Sequence, residues 1–260
     1  MSSSVAPTLF ISHGSPTFAL EPGLLGPQLQ ALGAKLPPLK AVLVVSPHWQ
    51  TRGLKVMTTS TPETMHDFGG FPAELYTLSY PAPGAPDLAR EAARLLTEAG
   101  LKPELDEQRG LDHGAWVPLL YLLPQPRIPV FQVSMPLSLT TADALQLGRA
   151  LAPLREQGVL IIGSGSMTHN LGEFRGPSST VADYVLAFEA WVRQAVLANN
   201  LDAMVNYRSL APDAQRAHPT EEHFLPLLVA LGAQRSGDKV QSLDGGVTYG
   251  MLSMDSFMWA

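Results

Sequence analysis

The sequence predicts an α/β fold: a single domain with a mostly parallel or mixed central sheet flanked by helices. Three observations predict it. Apolar runs of strand length alternate with stretches of helical period. The 260 residues contain no low-complexity linker and no internal repeat, and that length suits one large domain. Hydrophobic residues make up 45% of the chain and charged residues 15%, the balance of an ordinary globular protein.

The elements follow in order. Leu9–Ser12 is an apolar run ending in His13-Gly14-Ser15-Pro16, a strand that stops at turn-forming residues. Ala41–Ser46 is apolar and β-branched and stops at Pro47-His48, and Lys55–Thr59 reads as a third strand. Met65–Pro86 holds several aromatic residues and a proline cluster, which predicts a long, stiff loop of the kind that forms lids and pocket walls. Pro86–Ala99 places Leu88, Ala92, Ala93, Leu95 and Leu96 at helical spacing and ends at Gly100. Val130–Ser134 and Val159–Gly163 are two further strands. Thr141–Leu154, Val181–Leu197 and Thr220–Leu231 are helices, the last stopped by Gly232. The run Val247–Met258 is expected to add an antiparallel edge strand.

Composition narrows the function. There are 17 basic against 23 acidic residues, a net charge of −6. No basic stretch tracks a phosphate backbone, so nucleic acid is not an expected partner. The absence of cysteine excludes disulfides and thiolate ligands, leaving His, Asp, Glu and water for any metal. Residues 1–7 lack the charged and apolar regions of a signal peptide. No apolar run nears the roughly 20 residues of a membrane span. The expectation is a cytoplasmic protein without a membrane partner, a monomer or small homo-oligomer.

The histidines carry the chemistry. Five of the seven follow a strand or loop that ends in small or turn-forming residues: His13, His48, His113, His169 and His223. Strand C-termini of an open α/β sheet share one edge, where sites are built. His13 and His48 follow matched apolar runs, and each reads either as a hydrogen-bonded loop histidine or as a metal ligand. His218-Pro219-Thr220-Glu221-Glu222-His223 matches neither H-E-x-x-H nor H-x-x-E-H. His223 is expected in the first turn of a helix, with Glu222 beside it, and His218 on the surface. His169 leaves its strand through Gly163-Ser164-Gly165-Ser166, which does not fit G-x-S-x-G, so neither serine is favoured as a nucleophile. A histidine so placed suits a general acid or base. Asp112-His113-Gly114 reads as turn chemistry with a close backbone approach, and His66-Asp67 sits in the long loop where it would shape a pocket.

Six motifs then fall together. Phe10-Ile11-Ser12-His13-Gly14-Ser15-Pro16, Val45-Ser46-Pro47-His48-Trp49, His66-Asp67-Phe68-Gly69-Gly70-Phe71-Pro72, Leu111-Asp112-His113-Gly114-Ala115-Trp116, Thr168-His169-Asn170-Leu171 and Glu222-His223-Phe224-Leu225-Pro226-Leu227 resemble, in order, those of the DOPA 4,5-extradiol dioxygenase family. That family belongs to the class III extradiol ring-cleaving dioxygenases, with the catalytic subunit of protocatechuate 4,5-dioxygenase as a relative. The resemblance spans nearly the whole chain, residues 1–260 forming one catalytic domain. It implies that His13, His48 and His223 are metal ligands, that His169 is the catalytic histidine beside the metal, and that His113 faces dioxygen and substrate. It implies Fe(II) for activity, with Zn(II) able to occupy the same site. The wider class uses two histidines and a glutamate, whereas the third ligand position here is His223. The implied reaction opens a small aromatic diol with O2, and His66, Phe68, Phe71, Tyr76 and Trp116 are expected around the ring.

Two other readings use the same residues. A zinc-dependent hydrolase would employ metal-bound hydroxide with Glu222 as its base. A non-enzymatic binding protein would keep the metal without turnover. Oxygen uptake with a catechol separates both from a dioxygenase.

Overall fold

A computed structural model of the protein describes residues 5–174, 176 and 180–260. In chain order the elements are β1 (Thr8–Ser12), α1 (Leu25–Gly33), β2 (Ala41–Thr51), β3 (Leu54–Met57), α2 (Pro86–Glu98), β4 (Pro103–Asp106), α3 (His113–Leu122), β5 (Val130–Pro136), α4 (Thr141–Leu151) and β6 (Val159–Gly165). Then come α5 (Asp183–Leu197), the short α6 (Leu201–Val205), α7 (Tyr207–Leu210) and α8 (Ala214–Ala217), α9 (Leu225–Ala233), β7 (Val240–Leu243), β8 (Val247–Thr248), β9 (Leu252–Ser253) and β10 (Ser256–Trp259).

Eight strands form one sheet in the order β4-β3-β5-β2-β6-β1-β10-β7. The inner four, β5, β2, β6 and β1, run parallel. Every residue of β1 and β6 is buried, as a parallel core covered on both faces requires. The flanks are antiparallel: β3 against β5, β10 against β1 and β7 against β10. The sheet is therefore mixed, within the expected architecture.

Two differences from the expected elements bear on the site. The helix read over Thr220–Leu231 begins at Leu225, with Pro226 in its first turn. His223 thus lies in the turn before the helix, which brings it against β6. A Cβ on Gly163 would stand 2.0 Å from the Pro226 carbonyl, and one on Gly165 would stand 2.3 Å from that of His223. Only glycine on β6 permits that approach. The second difference is at the C-terminus. Val247–Met258 is not one edge strand: β8 and β9 form a small hairpin around Tyr249-Gly250, and β10 lies inside the sheet between β1 and β7. The edge belongs to β7, whose sequence Val-Gln-Ser-Leu is half polar.

His218, expected on the surface, is fully buried. Its Nε2–H donates to the Met167 carbonyl at 2.9 Å, and Phe188, Tyr207 and Phe224 surround the ring. An apolar cage strips water from the imidazole, and this desolvation lowers its pKa to about 3. A consequence for stability follows. The unfolded chain binds a proton near pH 6.5 and the folded one does so only far below it. This contribution is complete above pH 6.5 and is lost as pH falls toward about 3. The slope approaches about 1.4 kcal/mol per pH unit. Urea unfolding of His218→Leu at pH 6.5 and 4.5 is expected to show a shallower loss than the unsubstituted protein; equal slopes would remove His218 as a source of acid sensitivity.

Among the described residues, no helix is long and apolar enough to cross a membrane.

Candidate active site

The parallel strands deliver their C-termini to one edge, and five histidines gather there. The register sets Ser12 of β1 beside Gly165 of β6, so His13 leaves the sheet next to that glycine; its backbone N–H donates to the Gly165 carbonyl at 2.9 Å. Gly14 then turns the chain away at φ 61°. β2 slips register against β5 between Val45 and Gln50. That irregularity holds His48 and aims it off the regular pleat. His113 is the first residue of α3. Its neighbour Asp112 caps the helix by accepting from the Ala115 N–H, and is held by Arg109 at 2.9 Å and Gln132 at 2.8 Å. Asp112 was expected as turn chemistry; its work is helix capping. His169 follows β6, its N–H tied to the Ala217 carbonyl at 2.8 Å.

His13 stands at the centre. Its ring lies 5.0 Å from that of His48, 5.6 Å from His113 and 5.5 Å from His223. His48 and His113 are 3.8 Å apart, and His169 stacks on His223 at 3.5 Å with the planes 7° from parallel. Potential ligand atoms of His13, His48 and His113 lie within 4.8 Å of one another, as do those of His169, Glu222 and His223.

The hydrogen bonds set one tautomer. Ser164 donates its hydroxyl proton to the Gly114 carbonyl, so its oxygen accepts from His13 Nδ1 at 2.9 Å. The His13 proton is therefore on Nδ1, and Nε2 presents a bare lone pair. That Nε2 stands 3.0 Å from His48 Nε2. Two nitrogens each about 2.1 Å from one ion are about 3.0 Å apart when they subtend a right angle. Burial also favours neutral rings. Desolvation holds His13 and His223 well below the usual histidine range, His48 at about 4, and His169 lower than usual. Neighbouring imidazoles add to the effect at His13, His48 and His223. Neutral imidazoles gathered this closely are a donor set that suits a divalent transition metal. The site fits one.

Removing the outer partner tests this arrangement. Ser164→Ala leaves His13 Nδ1 without its acceptor and frees the ring to change tautomer. Such outer partners typically contribute about 10–100-fold in metal affinity. Competition against a chromophoric chelator is expected to show that loss; an unchanged affinity would make the Ser164 contact incidental.

Above the cluster opens a cleft of about 230 Å3, lined by Pro16, Phe68, Phe71, Leu171 and Leu252 together with His48, His113, His169 and His223. Of the aromatic residues expected around a substrate ring, Phe68 and Phe71 reach the wall. His66, Tyr76 and Trp116 do not; they pack on Phe68 at 5.8, 5.2 and 6.4 Å. The reason is hydrogen bonding: His66 Nε2 bonds to the Leu78 carbonyl and Trp116 Nε1 to that of Met65. Both side chains are spent on shaping the long loop. The bond of Ser164 to Gly114, fifty residues away, has no local sequence signal.

The fold and the cluster define a class: an α/β protein whose gathered histidines could hold a metal ion, with further imidazoles beside them and an apolar aromatic cleft in front. Residues 8–253 match the family described as the catalytic LigB subunit of aromatic ring-opening dioxygenase. The chain is 40% identical over 264 residues to the 4,5-DOPA dioxygenase extradiol of Beta vulgaris, covering 97% of this chain and 98% of the relative. It is also 40% identical to the protein of that name from Escherichia coli K12, covering 98% and 94%. A crystal structure of an uncharacterized protein from Escherichia coli K12 superposes with a TM-score of 0.80 at 32% identity, covering 98% of this chain and all of that one. The chain belongs to the LigB family of aromatic ring-opening dioxygenases and is an enzyme of the extradiol type.

Proposed function

We propose that this enzyme opens the ring of DOPA-like catechols with ferrous iron and dioxygen, and that it works in the cytoplasm as a monomer or small homo-oligomer. The observation that carries the reading is the meeting of five histidines, three of them driven strongly toward the neutral form, with four of the five lining a cleft walled by Phe68 and Phe71. His13, His48 and His223 would hold the iron, as the family motifs imply. When bound, the iron would bring catechol and dioxygen together and pass electron density between them. The remaining roles belong to the chain. Phe68 and Phe71 bind the aromatic ring and keep water away. His169, neutral because it is desolvated, takes a proton from a catechol hydroxyl and later returns it. His113 donates a hydrogen bond toward oxygen as charge builds there. Both atoms of O2 enter the product, a muconic semialdehyde-type compound.

The test loads the protein anaerobically with Fe(II) or Zn(II) and measures oxygen uptake with DOPA, caffeate and protocatechuate. Uptake with iron alone, matched by ring-opened product, is the expected result. No uptake with any catechol, with ester or amide hydrolysis by the zinc form, would replace this reading with a hydrolase using Glu222, which lies 3.1 Å from His223 Nδ1.

His113 needs its own measurement, because its ligand atom groups as closely with His13 and His48 as a metal ligand would. His113→Ala is expected to keep Fe(II) and catechol but to react slowly with dioxygen. Losing one donor of this kind costs on the order of 2.7–4 kcal/mol in well-studied sites. Loss of the iron itself would make His113 the third ligand in place of His223.

A further inference from the structure

Tyr249 holds a backbone conformation that its side chain disfavours. Among the described residues, those other than glycine with positive φ are Asn199, Asp213 and Tyr249, at 50°, 50° and 54°. Asn and Asp enter this left-handed region readily, whereas a bulky residue there is an outlier. Tyr249 and Gly250, the latter at φ 70°, are the central pair of the turn between β8 and β9. The Met251 N–H closes that turn by donating to the Thr248 carbonyl at 3.2 Å. A turn with two positive φ angles favours Asn-Gly, and the chain carries Tyr-Gly instead. Such outliers persist only where the surroundings hold them, and they cluster at functional sites.

The surroundings of Tyr249 lead to the cleft. Its hydroxyl lies 2.6 Å from Thr17 Oγ1, a hydrogen bond between residues 232 positions apart. Its ring packs on Phe174 with centroids 5.1 Å apart. The base of the hairpin is fixed separately: Thr168 Oγ1 donates to the Met251 carbonyl and accepts the Ser253 N–H, each at 2.8 Å. The hairpin is thus anchored without its tip. Tyr249 instead joins three segments, and each puts one apolar side chain into the cleft: Pro16, Leu171 and Leu252. Pro16 precedes Thr17 in the short 3-10 helix Pro16–Ala19. Leu171 accepts the Phe174 N–H through its carbonyl at 3.2 Å, and Leu252 of β9 pairs with Thr248 beside Tyr249. Leu171 is 61% exposed, an uncovered apolar side chain on the cleft wall.

We propose that Tyr249 is a specificity-determining residue: its phenol, clasped to Thr17 and packed on Phe174, holds Pro16, Leu171 and Leu252 together as the wall on which the apolar carbons of a catechol's ring substituent rest. Catechols that carry a carbon substituent are then preferred over catechol itself. This rests on the reading that the cleft holds a catechol, and its test reads binding rather than turnover.

Calorimetry on the Zn(II)-loaded protein gives dissociation constants for catechol, 4-methylcatechol and 4-propylcatechol. Each methylene buried against such a wall improves affinity by up to about fourfold, so 4-propylcatechol is expected to bind the wild-type protein more than about tenfold tighter than catechol. Tyr249→Phe removes only the hydroxyl. Tyr249→Asn also removes the ring while supplying the residue that the turn favours. Both are expected to lower the preference for 4-propylcatechol by about fourfold or more, the equivalent of one methylene no longer covered. Tyr249→Asn is expected to keep the wild-type melting temperature, because the better turn residue offsets the lost clasp. An unchanged preference in both variants would overturn the proposal. So would equal weakening of all three ligands, which is what a merely structural loss gives. Should Tyr249→Asn not fold, Tyr249→Phe decides by the same ratio. A wild-type protein that shows this preference but takes up no oxygen in its iron form would overturn the proposed reaction and leave the wall standing. One that takes up oxygen but binds the three catechols equally would overturn the wall and leave the reaction.

Discussion

His13→Ala is expected to empty the metal site and stop ring opening. His13 is 1% exposed and its ring lies within 5.6 Å of those of His48, His113 and His223, at the middle of the ligand set the family motifs imply. Its tautomer is the best determined in the cluster, because Ser164 accepts from Nδ1 and leaves Nε2 bare. Removing that nitrogen leaves a gap that no other side chain fills, since His48 and His223 are anchored by β2 and by the turn before α9. In the proposed reaction the metal would bring the reactants together and supply the electronic path, so its loss should remove most of the rate enhancement. A fall of at least about a thousandfold in oxygen uptake is expected, a small part of the 10⁶-fold or more that enzymes provide. The fold should survive. The His13–Ser164 hydrogen bond contributes about 1 kcal/mol, and the removed imidazole was itself desolvated. Iron content by atomic emission, oxygen uptake and melting temperature are measured on one preparation. Wild-type iron content in the variant would remove His13 from the ligand set.

The inner sheet was legible because its strands are buried on both faces. Thr8–Ser12, Ala41–Ser46 and Val159–Gly163 are almost uninterrupted apolar runs, which is how a parallel core strand reads. The elements that lack a sequence signal are either polar or aperiodic. β4 (Pro-Glu-Leu-Asp) and β7 (Val-Gln-Ser-Leu) lie at the two sheet edges, where one side needs no apolar cover. α3 is apolar on all sides and contains Pro118, so no 3.6-residue stripe marks it. β10 was displaced inward by pairing with both β1 and β7, a choice made by partners far away in sequence.

The site divides the same way. His13, His48, His113, His169 and His223 were legible as candidates because each sits at a break in a strand or before a helix, and turn residues mark such breaks. Their convergence needed the strand order, since β1 and β2 meet only through β6. Partnerships were not legible. Ser164 reaches across to Gly114, and Asp67 to His48 and His113, over separations that composition cannot encode. His218 misled because Pro219 and two glutamates follow it, which reads as a solvated helix start. The aromatic cage of Phe188, Tyr207 and Phe224 comes from three different segments.

His169→Ala is expected to cut turnover by about 10²–10⁴-fold, the usual contribution of a general acid–base group, while most of the iron remains. The ring lies flat on His223 at 3.5 Å and lines the cleft, so it faces the cleft rather than supporting the sheet. Its backbone is pinned independently through the Ala217 carbonyl, and truncation should leave the turn in place. Desolvation is the largest influence on its pKa and pushes it below the ordinary histidine value, with Glu222 opposing. The ring is thus neutral at pH 7 and ready to accept a proton. A base is active when unprotonated, so the rate of the intact enzyme should fall as pH drops through that lowered pKa. The variant should lose this acidic limb along with its rate. Iron content, oxygen uptake against pH and catechol binding separate the outcomes. Loss of iron as complete as in His13→Ala would make His169 a ligand, consistent with its grouping with Glu222 and His223. Retained iron with an unchanged rate and an unchanged acidic limb would leave it only a stacking partner of His223, and the proton would have to pass through another group.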